Sequence, residues 1–182
     1  MNFEFIKDVD TLGRVYSTCK RAEELAILYP NESLNASRNS GEMLAGLCYV
    51  IAHSEEAMNL SFYNMLKDPA VERYLRNPQL ISAFHKVRTG GNSGSHIIEK
   101  EQSSKEAINV LENLHYVVGE VAKRLGAISR YPSFNKNIPS QLVRLPTAED
   151  AETDIKAIVN FKIIRNSKLI TDLQIVIIQC PN

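Results

Sequence analysis

Apolar residues recur at three- and four-residue spacing over the first 126 positions, the period of amphipathic helices. Leu12, Val15, Tyr16, Cys19, Ala22, Ala26 and Tyr29 form one stripe, which predicts a helix from about Val9 to Tyr29. Pro30-Asn31-Glu32 interrupts it. A second helix is expected from about Ser33 to His53, with Leu34, Met43, Leu44, Leu47, Val50 and Ile51 inward. A third runs from Glu55 to Lys67 on Met58, Phe62, Met65 and Leu66, and Pro69 to Leu75 reads as a short helix. Leu80, Ile81, Phe84 and Val87 then continue the pattern after Pro78, a residue suited to a first helical turn. Gly90, Gly91 and Gly94 are expected to stop that helix just after Arg88, because glycine readily takes the left-handed conformations that end helices. The clearest stripe is Ala107, Val110, Leu111, Leu114, Val118, Val121 and Leu125. Ser103 or Ser104 can cap this last helix, Ser103 and Glu106 having the capping-box spacing, and Gly126 stops it. Residues 1–126 therefore read as a bundle of four main helices plus short ones, a mainly α fold.

The pattern changes after Gly126. Pro132, Pro139 and Pro146, with Ser133, Asn135, Asn137 and Ser140 between them, read as a linker over 127–153. Residues 154–182 are rich in β-branched types, and Arg165-Asn166-Ser167-Lys168 has the composition of a turn between two strands. Two strands alone are marginal. This β-hairpin-like segment is expected to pack on the bundle, to pair with another chain, or to begin a domain of a longer protein.

Composition narrows the function classes. The chain has 182 residues, 21 Lys plus Arg and 21 Asp plus Glu, so its formal net charge is zero. A broad electrostatic grip on nucleic acid is not expected, although a local basic patch is compatible with that balance. No run is long and apolar enough to span a membrane, and the first residues lack a signal-peptide pattern, so the expectation is a cytoplasmic protein without membrane partners. Cys19, Cys48 and Cys180 are scattered with no C-x-x-C pair, which points away from disulfides and metal ligation and toward small core residues at Cys19 and Cys48.

Candidate chemistry concentrates in His85-Lys86-Val87-Arg88-Thr89-Gly90-Gly91-Asn92-Ser93-Gly94-Ser95-His96, a basic helix end running into a polar turn closed by a histidine. The turn would bring Arg88 and His96 near one another. It is neither the G-x-G-x-x-G dinucleotide pattern nor a phosphate-binding loop, so no cofactor is indicated. Elsewhere Glu23 lies beside its helix's apolar stripe and is expected at the surface edge, because a buried carboxylate needs a partner. Arg38 and Glu42 are spaced to pair along one helix face, and His115 is expected at a boundary.

These residues resemble a family. Ala22-Glu23 followed by Tyr29-Pro30-Asn31, Arg38 with Glu42, and the Val87-to-His96 segment are similar to three motifs of the HEPN-like domain of unknown function. That domain occurs at the N-terminus of type I restriction endonuclease R subunits and of related defence proteins. The likeness covers roughly residues 1–126. It implies a HEPN-like helical bundle serving as a non-catalytic binding or assembly module of a prokaryotic restriction-modification or phage-defence system. Its implied partners are other subunits or domains of that complex, a second copy of the chain, or nucleic acid. In this reading Glu23, Arg38, Glu42, Arg88, Gly91, Asn92 and His96 form a structural or binding motif, with Asn92 fixing the turn and Arg88 pairing with Glu23 or Glu42.

The same resemblance implies a second possibility, a metal-independent ribonuclease. There His96 would move the proton of the RNA 2′-hydroxyl or leaving oxygen, and Arg88 would stabilise phosphate charge. Seven residues separate the two, one more than the usual catalytic spacing allows. A third reading, a small toxin–antitoxin-like protein, uses the C-terminal strands as a pairing edge.

Overall fold

The amphipathic stripes become helices in the computed structural model, which describes residues 1–54, 60–95 and 103–143, with backbone alone at 92–95. Two 3₁₀ turns, Glu4–Ile6 and Asp10–Leu12, lead into α1, Gly13–Leu25. Then come α2 (Pro30–His53), α3 (Phe62–Lys67), α4 (Pro69–Leu75), α5 (Pro78–Ser95), α6 (Ser104–Arg124) and α7 (Ile138–Gln141). Among the described residues there is no strand, so the fold there is helical. The β-rich segment 154–182 lies outside them.

Local chemistry sets the boundaries. Proline disfavours a helical residue before it, so α1 ends short of Tyr29 and Pro30 instead opens α2 at its first turn. Helix α3 is shorter than expected. It begins after Ser61, whose hydroxyl accepts from the Asn64 amide, and the expected start at 55–59 lies outside the described residues. Asp68 caps α4 by accepting from the amides of Ala70 and Val71, and it also meets His53 Nε2 at 2.8 Å. The Ser103–Glu106 capping box forms as its spacing indicated, and Gly126 adopts φ +70° at the far end of α6.

Helix α2 is central, packing against α1, α3, α4, α5 and α6. Its buried face is made largely of small residues, Ser33, Ala36, Ser37, Ser40, Gly41 and Ala45, with Leu34, Leu44 and Cys48. The stripe expected from large side chains is turned relative to this face, since Val50 and Ile51 are exposed and Met43 and Leu47 are half-buried. Small side chains let neighbouring helices approach. A Cβ on Gly41 would stand 2.8 Å from Val87 Cγ1 of α5 and 3.0 Å from Phe62 Cζ of α3.

The expected linker is in part packed chain. Residues 127–143 belong to the same compact unit as the helices, while 144–153 lie outside the described residues. Ile128 and Phe134 pack on the core, Tyr131 stacks on Phe5 with ring centroids 5.5 Å apart, and Lys136 pairs with Glu112 at 2.8 Å. These aromatics bury His115, which is 2% exposed rather than at a boundary. Phe3, Phe5, Tyr131 and Phe134 meet its ring edge to face at centroid distances of 5.2–5.6 Å. Its Nε2 has no hydrogen-bond partner among the described residues, and burial pushes its pKa down to about 4. An apolar cage disfavours the charged imidazolium.

That burial predicts an acid-labile fold. A folded-state value below the ordinary 6.5 means that the unfolded chain binds more protons between pH 6.5 and about 4, so stability falls as pH drops through that window. Between pH 7 and pH 5 the loss from His115 is about 2 kcal/mol. Urea unfolding of wild type and His115→Phe at both pH values isolates the term, because other groups titrate alike in the two proteins; parallel losses would refute it.

Candidate functional site

Helices α3 and α5 are locked together from inside and carry polar groups outside. Phe62 and Phe84 are fully buried and meet edge to face, with centroids 6.3 Å apart and planes at 87°. Their neighbours in sequence point the other way. Tyr63 is 46% exposed, and the Arg88 guanidinium carbon lies over its ring, 5.2 Å from the centroid. His85, one turn before Arg88 on α5, has its ring tilted toward Tyr63 at 6.1 Å. Burial first, then the charges of Arg88 and Lys67, hold the His85 pKa below its ordinary value, with Glu72 opposing them. Tyr63, Lys67, His85 and Arg88 therefore compose one aromatic and basic surface on α3 and α5.

Arg88 does not pair with Glu23 or Glu42 as expected, because both acids are otherwise engaged. Glu23 is fully buried in α1, contrary to the expected surface position. The Asn2 amide donates to both of its carboxylate oxygens at 3.2 and 3.0 Å, and Asn2 Nδ2 donates to Oε1. Asn2 also exchanges bonds with the main chain of Asn135, donating to its carbonyl at 3.0 Å and accepting from its amide at 2.7 Å. Glu42 accepts from Arg38 Nη1 at 3.1 Å, the i,i+4 pair legible in the sequence. With about a third of each side chain exposed, that pair is screened and contributes little to stability. Arg88 retains the cation–π contact, and its Nε is buried without an acceptor among the described residues.

The glycine segment also departs from expectation. Instead of a turn after Arg88, α5 continues through Gly90, Gly91 and Gly94 to Ser95. Close packing explains two of the glycines. A Cβ on Gly91 would overlap the Arg38 Cβ, with Arg38 Cγ and Cδ each 2.9 Å away, and one on Gly90 would stand 2.5 Å from Val110 Cγ2 of α6. Gly90 and Gly91 thus serve helix contact, with Gly91 at the α2 crossing beside Arg38. Asn92 lies in the helical run, while its side chain and the whole of His96 fall outside the described residues.

The structure thus brings Arg38, Glu42 and Gly91 together, places Arg88 on Tyr63, and gives Glu23 to Asn2. Sequence reasoning missed Tyr63, Lys67 and Asn2. The i,i+4 spacing of Tyr63 and Lys67 beside a buried phenylalanine is a signal for the first two, whereas nothing local marks Asn2 as the partner of a residue twenty-one positions away. Among the described residues, no three His, Cys, Asp or Glu side chains converge as a metal site, and no helix is long and apolar enough to cross a membrane. No family model, curated protein or solved structure matches the chain.

Two substitutions test this arrangement by chemical denaturation. Gly91→Ala gains about 1 kcal/mol of helix propensity but forces a methyl group into the Arg38 Cβ, so a net loss of about 1–3 kcal/mol is expected. Gly13→Ala, where a Cβ meets nothing within 4 Å, is the control and costs nothing. Asn2→Ala removes the side-chain bonds to Glu23 and Asn135 and is expected to cost about 3 kcal/mol. A Gly91→Ala protein as stable as wild type, or an unaffected Asn2→Ala protein, would show that these contacts are absent in solution.

Proposed function

We propose that the chain is a non-catalytic binding or assembly module with a HEPN-like helical bundle, acting within a prokaryotic restriction-modification or phage-defence system in the cytoplasm. The observation that carries the reading is Arg88. Its charge is held at the surface against Tyr63 with no ion pair among the described residues, which suits contact with an external partner. The three sequence motifs support the family, and the geometry favours binding over hydrolysis. A ribonuclease of this kind calls for a turn just after Arg88, where α5 instead runs on to Ser95.

The purified protein, incubated in EDTA with tRNA and single-stranded RNA, is expected to leave both intact, indistinguishably from Arg88→Ala/His96→Ala. The tagged protein recovered from its native host is expected to carry stoichiometric subunits of a restriction or defence complex. Cleavage that the double substitution abolishes would make the chain a metal-independent ribonuclease. Recovery without any such subunit would overturn the assembly role.

A further inference from the structure

The surface on α3 and α5 has a composition that points to a particular partner. Its centre is a cation–π contact, the Arg88 guanidinium over the exposed Tyr63 ring at 5.2 Å, with the tilted His85 ring beside it at 6.1 Å. Around it stand Lys67 on α3, whose charge reaches His85, and Glu72 on α4, the acid that opposes it. Neither Lys67 nor Arg88 has an ion pair among the described residues. Glu72 is the acid facing these cations and makes no ion pair with either among the described residues, so a positive surface stands out although the chain as a whole is neutral. An acidic protein surface would satisfy the cations and make no use of the exposed ring. A single-stranded nucleic acid uses both, since unpaired bases stack on tyrosine rings and guanidinium planes while phosphates take lysine and arginine.

We infer that Tyr63, Lys67, His85 and Arg88 form a binding surface for single-stranded nucleic acid, with a base stacked at Tyr63 and Arg88 and the adjoining phosphates held by Lys67, Arg88 and His85. The inference rests on the binding-module reading and names the partner of the same surface. Bases have no sequence-reading partners in this group, so binding is indifferent to sequence and sensitive to salt. The charges facing His85 are Arg88 on its own helix, Lys67 on α3 and Glu72 on α4. The two cations and burial keep His85 neutral at pH 7.5, and a bound phosphate favours its protonation. Affinity therefore rises as pH falls.

The test is fluorescence anisotropy of the full chain with a labelled single-stranded oligothymidylate, at several salt concentrations and between pH 8 and pH 5.5. Variants are first checked for helicity by circular dichroism. Tyr63 is exposed, so Tyr63→Leu should fold, and it is expected to weaken binding roughly 10-fold while Tyr63→Phe retains it. Arg88→Gln should weaken binding and shallow the log–log salt slope by about one. His85→Gln should match wild type at pH 8 and lose the tightening toward pH 5.5. Absence of binding, equal binding by Tyr63→Leu, or displacement by polyglutamate as effective as by unlabelled oligonucleotide would each overturn the assignment, the last in favour of an acidic protein partner. Failure here leaves subunit co-purification unaffected, whereas loss of the companion subunits with oligonucleotide binding intact would remove the assembly role alone.

Discussion

The folded unit depends on disposing of one buried charge. Glu23 is wholly enclosed in α1, and a carboxylate in that position is tolerated when donors replace the water it has lost. Asn2 supplies three hydrogen bonds to it, two from its main-chain amide and one from its side chain. The remaining capacity of the Asn2 side chain is spent on the main chain of Asn135. One polar knot therefore ties the first residues and the 127–143 segment to the same helix. The aromatic cage around His115 closes beside it, drawing Phe3 and Phe5 from one end and Tyr131 and Phe134 from the other. Neither end segment is long enough to bury a core of its own. The buried acid specifies where they go, and the rings provide the apolar area that makes docking favourable.

A second constraint acts at the centre. Helix α2 touches five others, and one helix can do so when its contact faces are small. Serine, alanine and glycine along its buried side admit α5 so closely that Gly91 and Gly41 leave no room for a Cβ at the crossing. Glycine in a helix costs about 1 kcal/mol relative to alanine. That cost is offset by the dispersion contacts that a wider crossing would forfeit.

These two constraints mark the limit of what the sequence discloses. Periodicity finds the helices well: the stripes of α1 and α6, the capping box at Ser103 and the stop at Gly126 are local features read from local residues. It misplaces the inner face of α2, because a face built of small and hydroxyl side chains has little hydrophobic contrast. It ends α5 too early because glycine has two meanings, a turn former when nothing faces it and a contact residue when another helix does, and the difference lies in a neighbour distant in sequence. Of the candidate site, the Arg38–Glu42 pair is legible from its spacing alone. The fate of Glu23 is not, since its donor comes from the chain's second residue.

The distribution of acids explains why the basic groups of α3 and α5 stand out. Glu23 is satisfied by Asn2, Glu42 by Arg38, Asp68 by His53, and Glu120 by Lys123 and Arg124. With these carboxylates committed to the fold, Arg88 has no ion pair among the described residues and rests on the ring of Tyr63, an arrangement worth about 0.5–1 kcal/mol at an exposed position. This is weaker than the charge-assisted hydrogen bonds the guanidinium would make with a phosphate. Its Nε is buried without an acceptor among the described residues, so part of the desolvation cost of binding is met in the free protein. Phe62 and Phe84, meeting edge to face, fix the two helices that carry Tyr63 and Arg88. The guanidinium is thus without an ion pair among the described residues, partly dehydrated and already oriented, and the proposed binding surface on α3 and α5 rests on those three properties.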